Sequence, residues 1–133
     1  MSKQSQHILI MRTSQASTIG TVAEMLVSRE AVKNGWKVAY PYGSDTPFDI
    51  LLYNDGKVIS VQVKATGYER EEGQGVTRMV SLEKYQDIDI MILVDALNDD
   101  LYIFKTSTLP SSRVRFTLSQ DNYPDNFNAW GLV

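Results

Sequence analysis

The sequence contains no cysteine and a single histidine among its 133 residues. The lack of cysteine excludes a disulfide framework, thiolate metal sites and a cysteine nucleophile, and it is compatible with a reducing cytoplasm. No apolar run approaches the roughly 20 residues that a membrane-spanning helix needs, and the first residues lack the layout of a signal peptide. We therefore expect a soluble, cytoplasmic protein that does not contact a membrane.

An excess of positive charge is also missing, since the formal net charge is −3. Proteins that bind nucleic acid over a broad surface normally carry a positive excess, because neutralising phosphates supplies much of the affinity. Any such contact must therefore come from local basic groups, or from several copies of the chain together. The length and the apolar fraction of 43% predict one folded domain over residues 1–133.

The order of predicted elements is that of an α/β domain around a central mixed sheet. Ser17 to Asn34 is predicted to be a helix, because apolar residues recur at helical spacing and Asn34-Gly35 is a stop signal. Strands are predicted on both sides of a two-residue hairpin turn at Asp55-Gly56. The predicted strands are Trp36–Tyr40, Phe48–Tyr53, Lys57–Ala65, Asp89–Val94, Leu101–Lys105 and a segment around Arg113–Phe116, with Thr77–Leu82 open between strand and linker.

The Asp55-Gly56 turn also predicts the register of its two strands. If Asn54 pairs with Lys57, Asp49 lies directly opposite Gln62, in the closer, non-hydrogen-bonded kind of pair. Lys64 then points to the same face, about 7 Å farther along the strand. The opposite face is uniformly apolar and is predicted to be core: Phe48, Ile50, Leu52, Ile59, Val61, Val63 and Ala65.

Glu24 interrupts a helix face that Gly20, Ala23, Val27 and Ala31 share. Two interpretations remain open for this acid. It either serves a site where the helix packs closely against the sheet, or it closes the start of the helix in a capping box with Thr21.

Together these residues suit metal-dependent hydrolysis of a phosphodiester. Glu24, Asp49, the Gln62 side-chain carbonyl and a strand backbone carbonyl, that of Val63, are hard oxygen ligands that would hold Mg²⁺. The metal would polarise the phosphate and help generate hydroxide, and Mn²⁺ is expected to substitute for Mg²⁺. Lys64 would orient or deprotonate the attacking water and offset charge in the transition state.

The same residues carry a family resemblance. Pro47-Phe48-Asp49, followed by Gln62-Val63-Lys64 on the next strand, resembles the motif of the PD-(D/E)XK nuclease superfamily. The segment from Gly20 to Glu24, followed by Gly35 to Val38, is similar to the first helix and strand of that fold. The arrangement is most similar to the intron-associated homing endonucleases and the archaeal Holliday junction resolvase branch. The resemblance implies a restriction-endonuclease-like central mixed β-sheet flanked by helices, with Glu24, Asp49, Gln62 and Lys64 as the catalytic set.

Gln62 departs from the usual motif, which has a second acid at this position. A neutral amide is a weaker ligand than a carboxylate, so Glu24 gains importance. Some active members, including homing enzymes, carry Gln here, whereas an acid is usual in the resolvases. The resemblance therefore implies site-specific cleavage of double-stranded DNA by a dimer or tetramer that spans a long target.

Candidate DNA contacts are the basic residues after the hairpin and on the later strand: Arg70, Arg78, Lys84, Arg113 and Arg115. Three functions remain open, with the homing-type endonuclease favoured. A structure-selective nuclease such as a junction resolvase would need a broad basic face, which the acidic balance disfavours. A non-catalytic DNA-binding module on the same fold would have little need for Lys64 beside Asp49. The sequence leaves open whether a cell, an intron or a virus encodes the chain.

Overall fold

The computed structural model describes residues 16–43, 45–66 and 76–133. Within these ranges there is one α-helix, α1, at Ala16–Lys33. The strands are β1 (Lys37–Ala39), β2 (Ile50–Asn54), β3 (Lys57–Thr66), β4 (Val76–Ser81), β5 (Ile90–Asp95), β6 (Asp100–Lys105) and β7 (Arg113–Leu118). Short 3₁₀ helices lie at Glu83–Tyr85, Thr106–Thr108 and Trp130–Leu132. The predicted helix and strands are all present, and the segment left open between strand and linker is β4.

The central sheet has five strands in the order β1-β2-β3-β5-β6. β3 and β5 run parallel, whereas the other neighbouring pairs are antiparallel, so the sheet is mixed as predicted. Every residue of β5 is buried. This burial explains its uninterrupted apolar run, because a strand covered on both faces does not alternate between apolar and polar residues.

The β2–β3 hairpin forms through the predicted turn. Asp55 and Gly56 both adopt positive φ, 49° and 79°, as a type I′ turn requires at its two central residues. The strand pairs run from Asn54–Lys57 to Ile50–Val61. The predicted register is therefore confirmed over these five pairs.

Helix α1 covers one face of the central sheet with its small and β-branched residues. Ala23, Val27 and Ala31 are 0–1% exposed and belong to the same core cluster as Ile50 and Val61. The two alanines place only a methyl group between helix and sheet, which brings the helix backbone close to β3 and β1. No helix in the described ranges is long and apolar enough to cross a membrane.

The other face is covered by a two-stranded antiparallel sheet of β4 and β7, here called the β4–β7 ribbon. Its inner residues, such as Val80 and Phe116, pack with Met91 and Leu93 of β5 in a second core cluster. Gln62 and Lys64 pair with these two β5 residues, so they lie on this face. The sequence predicts only that this face is less apolar than the other. The structure shows that the apolar inner side of the β4–β7 ribbon packs against it.

Candidate active site

A cleft of about 320 Å³ opens where α1, the β2–β3 hairpin and the β4–β7 ribbon meet. Glu24, Asp49, Gln62 and Lys64 all line this cleft, together with Val63. The rest of its lining is Ile19, Gly20, Ala65, Thr66 and Arg78. Side chains that are far apart in the sequence are thus brought to one place, as the predicted catalytic set requires.

Asp49 lies just outside the regular β2–β3 ladder. Its backbone N–H donates to the Val61 carbonyl at 2.9 Å, although Val61 is already the strand partner of Ile50. Two consecutive residues facing one partner is the pattern of a β-bulge, which ends regular pairing and re-aims a side chain. The predicted pairing of Asp49 directly opposite Gln62 is therefore wrong.

The same irregularity changes which layer Phe48 joins. Strict alternation places Phe48 with Ile50 on the helix side, but Phe48 packs against the second cluster, under the β4–β7 ribbon. The predicted assignment of Phe48 to the helix-side core is wrong, because the extra residue at Asp49 shifts the alternation by one position.

The Asp49 carboxylate takes the place that a backbone carbonyl of β2 would occupy opposite Val63 in a continued ladder. The Val63 backbone N–H donates to Oδ2 of Asp49 at 2.9 Å. The N–H and C=O groups of one strand residue point to the same side of the strand. The Val63 carbonyl is therefore directed toward the side on which Asp49 lies, which suits the predicted role of this oxygen as a metal ligand.

Glu24 lies in the interior of α1, eight residues after Ala16. Thr21 is also inside the helix, where its hydroxyl donates to the Ser17 carbonyl at 2.9 Å. A capping box needs its Thr at the helix start and its Glu three residues later. The capping interpretation is therefore excluded, and Glu24 is free to serve the cleft.

Both carboxylates of the cleft are less easily ionised than usual. Burial raises the pKa of Asp49, against the opposing effects of the Val63 N–H and the Lys64 ammonium. Burial also raises the pKa of Glu24, and the nearby Asp49 carboxylate raises it further. A bound cation would reverse both effects, since an opposite charge favours the ionised form of an acid.

The donor set fits a hard divalent ion such as Mg²⁺, which prefers oxygen ligands and retains several waters. No cluster of three or more acidic, histidine or cysteine side chains occurs in the described part of the chain. The third side-chain ligand would therefore be the amide oxygen of Gln62, which is 7% exposed and lines the cleft.

Lys64 is held beside an aromatic ring that sequence reasoning missed. Its Nζ lies 5.0 Å from the centroid of the Tyr85 ring, within the range of a cation–π contact. The Nζ of Lys84 lies 5.4 Å from the same centroid. No local sequence signal identifies Tyr85, because its position depends on how the 3₁₀ helix Glu83–Tyr85 packs after β4.

The candidate DNA contacts are divided between the cleft and the surface. Arg78 lines the cleft, whereas Arg113 and Arg115 are exposed on β7 and do not line it. Lys84 is exposed on the 3₁₀ helix beside Tyr85. Arg70 lies outside the described residues.

A second groove of about 350 Å³ adjoins the cleft at its two acids. Glu24 and Asp49 line both openings, and the second groove is completed by Tyr40, Pro41, Gly43, Thr46 and Phe48. The carboxylates therefore lie between two depressions, an arrangement that suits an extended substrate crossing the site.

Comparison with known proteins adds a family and a fold. A family model described as PD-(D/E)XK endonuclease matches residues 14–129. Protein 5.3 of Escherichia phage T7 is 33% identical over 90 residues, which cover 64% of this chain and 75% of that protein.

Two solved structures share the architecture. A bacterial homing endonuclease superposes with a TM-score of 0.73 at 20% identity, over 86% of this chain and 87% of its own. Hjc, a Holliday junction resolvase from Archaeoglobus fulgidus, superposes with a TM-score of 0.55 at 14% identity, over 79% of this chain and 87% of its own. The predicted restriction-endonuclease-like fold class is confirmed.

Proposed function

Because this chain belongs to the PD-(D/E)XK endonuclease family, we propose that it is a metal-dependent, site-specific endonuclease of the homing type. Its reaction is the hydrolysis of phosphodiester bonds in double-stranded DNA. The observation that carries the proposal is the shared cleft, in which Glu24, Asp49, Gln62 and Lys64 meet. If each of these residues served only as a surface or capping group, there would be no reason for all four to line one cleft.

The acids and the amide form the metal-binding part of the site. Glu24, Asp49, the Gln62 amide oxygen and the Val63 carbonyl oxygen would hold Mg²⁺, with Mn²⁺ as a substitute. When bound, the ion supplies a Lewis acid that polarises the phosphate and lowers the pKa of a coordinated water. The Val63 N–H holds one oxygen of Asp49 at 2.9 Å, so the carboxylate is oriented before any ligand arrives.

Lys64 is the group that acts on water and phosphate. Its ammonium lies close enough to Asp49 to oppose the rise of that residue's pKa, and it contacts the ring of Tyr85. As an ammonium it orients the attacking water and offsets the negative charge that develops on the phosphate oxygens. Only as the neutral amine could it deprotonate that water.

Contacts to the rest of the DNA are assigned to exposed basic groups beside the cleft. Lys84 lies on the 3₁₀ helix after β4, and Arg113 and Arg115 alternate along β7. A two-stranded antiparallel ribbon fits the major groove of B-DNA, so the outer face of the β4–β7 ribbon is a suitable reading surface. Because the chain has a net charge of −3, assembly as a dimer or tetramer would multiply these few contacts.

Gln62 and the charge balance favour the homing type over a junction resolvase. A resolvase would need a broad basic face, which a chain of net charge −3 does not provide. Among related nucleases an amide at the Gln62 position is compatible with homing enzymes, whereas an acid is usual in resolvases.

The test is cleavage of plasmid and genomic DNA with Mg²⁺ or Mn²⁺, comparing the wild type with Lys64→Ala. Discrete fragments are expected from the wild type, with a rate reduced by about 10²–10⁴-fold in Lys64→Ala, the usual range for loss of a general acid or base. Lys57→Ala is the matched control, because Lys57 is exposed at the turn end of the same strand. DNA binding and thermal unfolding of both variants should resemble those of the wild type.

The alternatives have distinct outcomes in the same experiment. Cleavage of four-way junctions but not of duplex DNA would support the resolvase. Binding of DNA without cleavage of duplexes or junctions would support a non-catalytic binding module on this fold.

A further inference from the structure

Arg78 lies at a position of β4 where the neighbouring residues of the same face are apolar and buried. It lies between the buried residues Val76 and Val80 on β4, and its partner across the β4–β7 ribbon is Phe116. Phe116 is only 2% exposed. Residues directly opposite each other in an antiparallel pair share a face, so Arg78 belongs to the inner, core-facing side of the ribbon.

The arginine is nevertheless exposed, because the inner face of β4 passes over the mouth of the cleft at this point. Arg78 lines the cleft together with Asp49, Gln62 and Lys64. The other arginines of the ribbon have a different orientation: Arg113 pairs with Ser81 and Arg115 with Met79, both on the outer face. Arg78 is thus the ribbon's arginine that faces the proposed reaction site.

No carboxylate in residues 16–43, 45–66 and 76–133 forms an ion pair with Arg78. The ion pairs there join Glu30 to Arg29 and Lys33 on the surface of α1. Glu24 and Asp49 supply two negative charges to the cleft, and Lys64 and Arg78 supply two positive charges. Once a divalent cation is held by the acids, the cleft carries a net positive charge that suits an anionic phosphate.

We propose that Arg78 binds the DNA phosphate group at the bond that is cleaved. This inference rests on the proposed function and deepens it, since it assigns a substrate-binding residue inside the cleft. A guanidinium presents parallel N–H donors that match two phosphate oxygens, whereas an ammonium acts as a point charge. Arg78 holds the phosphate in place while Lys64 acts on the attacking water.

Contact with the reacting phosphate predicts a different defect from contact with the flanking DNA. Loss of a flanking contact weakens binding, and saturating enzyme restores the rate. Loss of a group that stabilises charge in the transition state lowers the rate even when all DNA is bound. The decisive measurement is therefore the single-turnover rate constant at saturating enzyme.

The experiment compares Arg78→Gln and Arg78→Lys with the wild type on a DNA fragment that the wild type cleaves in Mg²⁺. We expect Arg78→Gln to lower the saturating rate constant by about 10²–10³-fold, the usual range for loss of one transition-state donor. Arg78→Lys should recover part of this loss, because it retains the charge but not the paired donors. Arg29→Gln is the matched control, since Arg29 is an exposed arginine on the outer side of α1.

A second measurement follows binding of a short fluorescent duplex in Ca²⁺ across a range of salt concentrations. Arg78→Gln should weaken binding and reduce the slope of log affinity against log salt by about 1, as expected for one lost phosphate contact. Arg29→Gln should leave the slope unchanged. Thermal unfolding should show that all the variants are folded.

Failure of this inference and failure of the proposed function give different results in these experiments. A saturating rate constant in Arg78→Gln equal to that of the wild type would overturn the assignment, even if binding were weaker, because it would place the contact outside the reaction site. If the wild type cleaves no DNA, the proposed function fails, and the salt slope then decides whether Arg78 binds phosphate. An unchanged slope in that case would overturn the inference as well.

Discussion

The backbone N–H of Val63 donates a 2.9 Å hydrogen bond to Oδ2 of Asp49. Ile50–Val61 is the last pair of the β2–β3 ladder, and the side chain of Asp49 accepts the Val63 N–H in place of the β2 carbonyl that a continued ladder would supply. This hydrogen bond orients the Asp49 carboxylate through a backbone donor on β3, a strand that is paired with β5 at this residue. Because the ladder is interrupted here, the Asp49 carboxylate is oriented by a backbone group and lines the cleft.

We predict that Asp49→Asn folds and binds DNA but does not cleave it. The asparagine carbonyl can still accept the Val63 N–H, so the local structure is retained, whereas the negative charge that would hold the metal is lost. Cleavage in Mg²⁺ is expected to fall to background, and Mg²⁺ is expected to raise the thermal unfolding midpoint much less than in the wild type.

The control for this variant is Asp55→Asn, which makes the same chemical change at the turn end of the same hairpin. Asp55 has φ of 49°, and asparagine is favoured at this position of a type I′ turn. Cleavage by Asp55→Asn should therefore equal that of the wild type. Asp49→Asn would contradict the assigned role if it cut DNA at a comparable rate, or if it lost binding as severely as cutting.

We predict that Glu24→Gln stabilises the metal-free protein at pH 8. The pKa of Glu24 is raised in the folded state by burial and by Asp49, so its ionised form is less favourable there than in the unfolded chain. The penalty is absent below the unfolded pKa of about 4.3, grows as the pH rises toward the folded pKa, and is complete above it. The unfolding midpoint in EDTA should therefore exceed that of the wild type at pH 8 and match it near pH 3.

Mg²⁺ should reverse this order at pH 8. A ligand that binds only the folded state stabilises it by about 2.7 kcal/mol at 100 times its Kd, and Glu24→Gln should forfeit most of that gain. Glu83→Gln serves as the control, because Glu83 is exposed on a 3₁₀ helix and does not line the cleft. Equal Mg²⁺ stabilisation of the wild type and Glu24→Gln would remove Glu24 from the ligand set.

The parts of the site that the sequence predicts are those set by local rules. The Asp55-Gly56 turn determines the register of the hairpin, and alternation then assigns Ile50, Leu52 and Val61 to the core, all of which are fully buried. Helical spacing likewise places Ala23, Val27 and Glu24 on one face. The structure confirms these relationships because each depends on neighbours within a few residues or across one tight turn.

The features that sequence reasoning missed depend on contacts between distant segments. β4 pairs with β7 through residues 76–81 and 113–118, and no local signal in either segment identifies its partner. The ribbon covers the sheet face on which Gln62 and Lys64 lie, and it places Arg78 at the cleft. The 3₁₀ helix that contains Tyr85 follows its first strand, β4. The sequence does not reveal the bulge at Asp49, because extrapolating an alternating pattern assumes that pairing continues. The hydrogen bond from the Asp49 N–H to the Val61 carbonyl and the packing of Phe48 into the second layer show that it does not.

We predict that Gln62→Glu binds Mg²⁺ at least as tightly as the wild type but is less stable without it. The new carboxylate would be 7% exposed, if it kept the exposure of Gln62, and it would share the cleft with two acids whose pKa values are already raised. Burying another charge among like charges is unfavourable, so the metal-free unfolding midpoint at pH 8 should fall, and DNA binding in EDTA should weaken.

A bound divalent ion turns the same charge into a stronger ligand than the amide. Gln62→Leu is the opposing variant, since it places an apolar side chain of roughly similar size in the buried position and removes the amide oxygen. Calorimetric titration with Mg²⁺ should rank the affinities as Gln62→Glu at or above the wild type, and Gln62→Leu below it. Weaker binding by Gln62→Glu, or unchanged binding by Gln62→Leu, would remove the Gln62 oxygen from the ligand set and leave Glu24, Asp49 and the Val63 carbonyl as the proposed ligands.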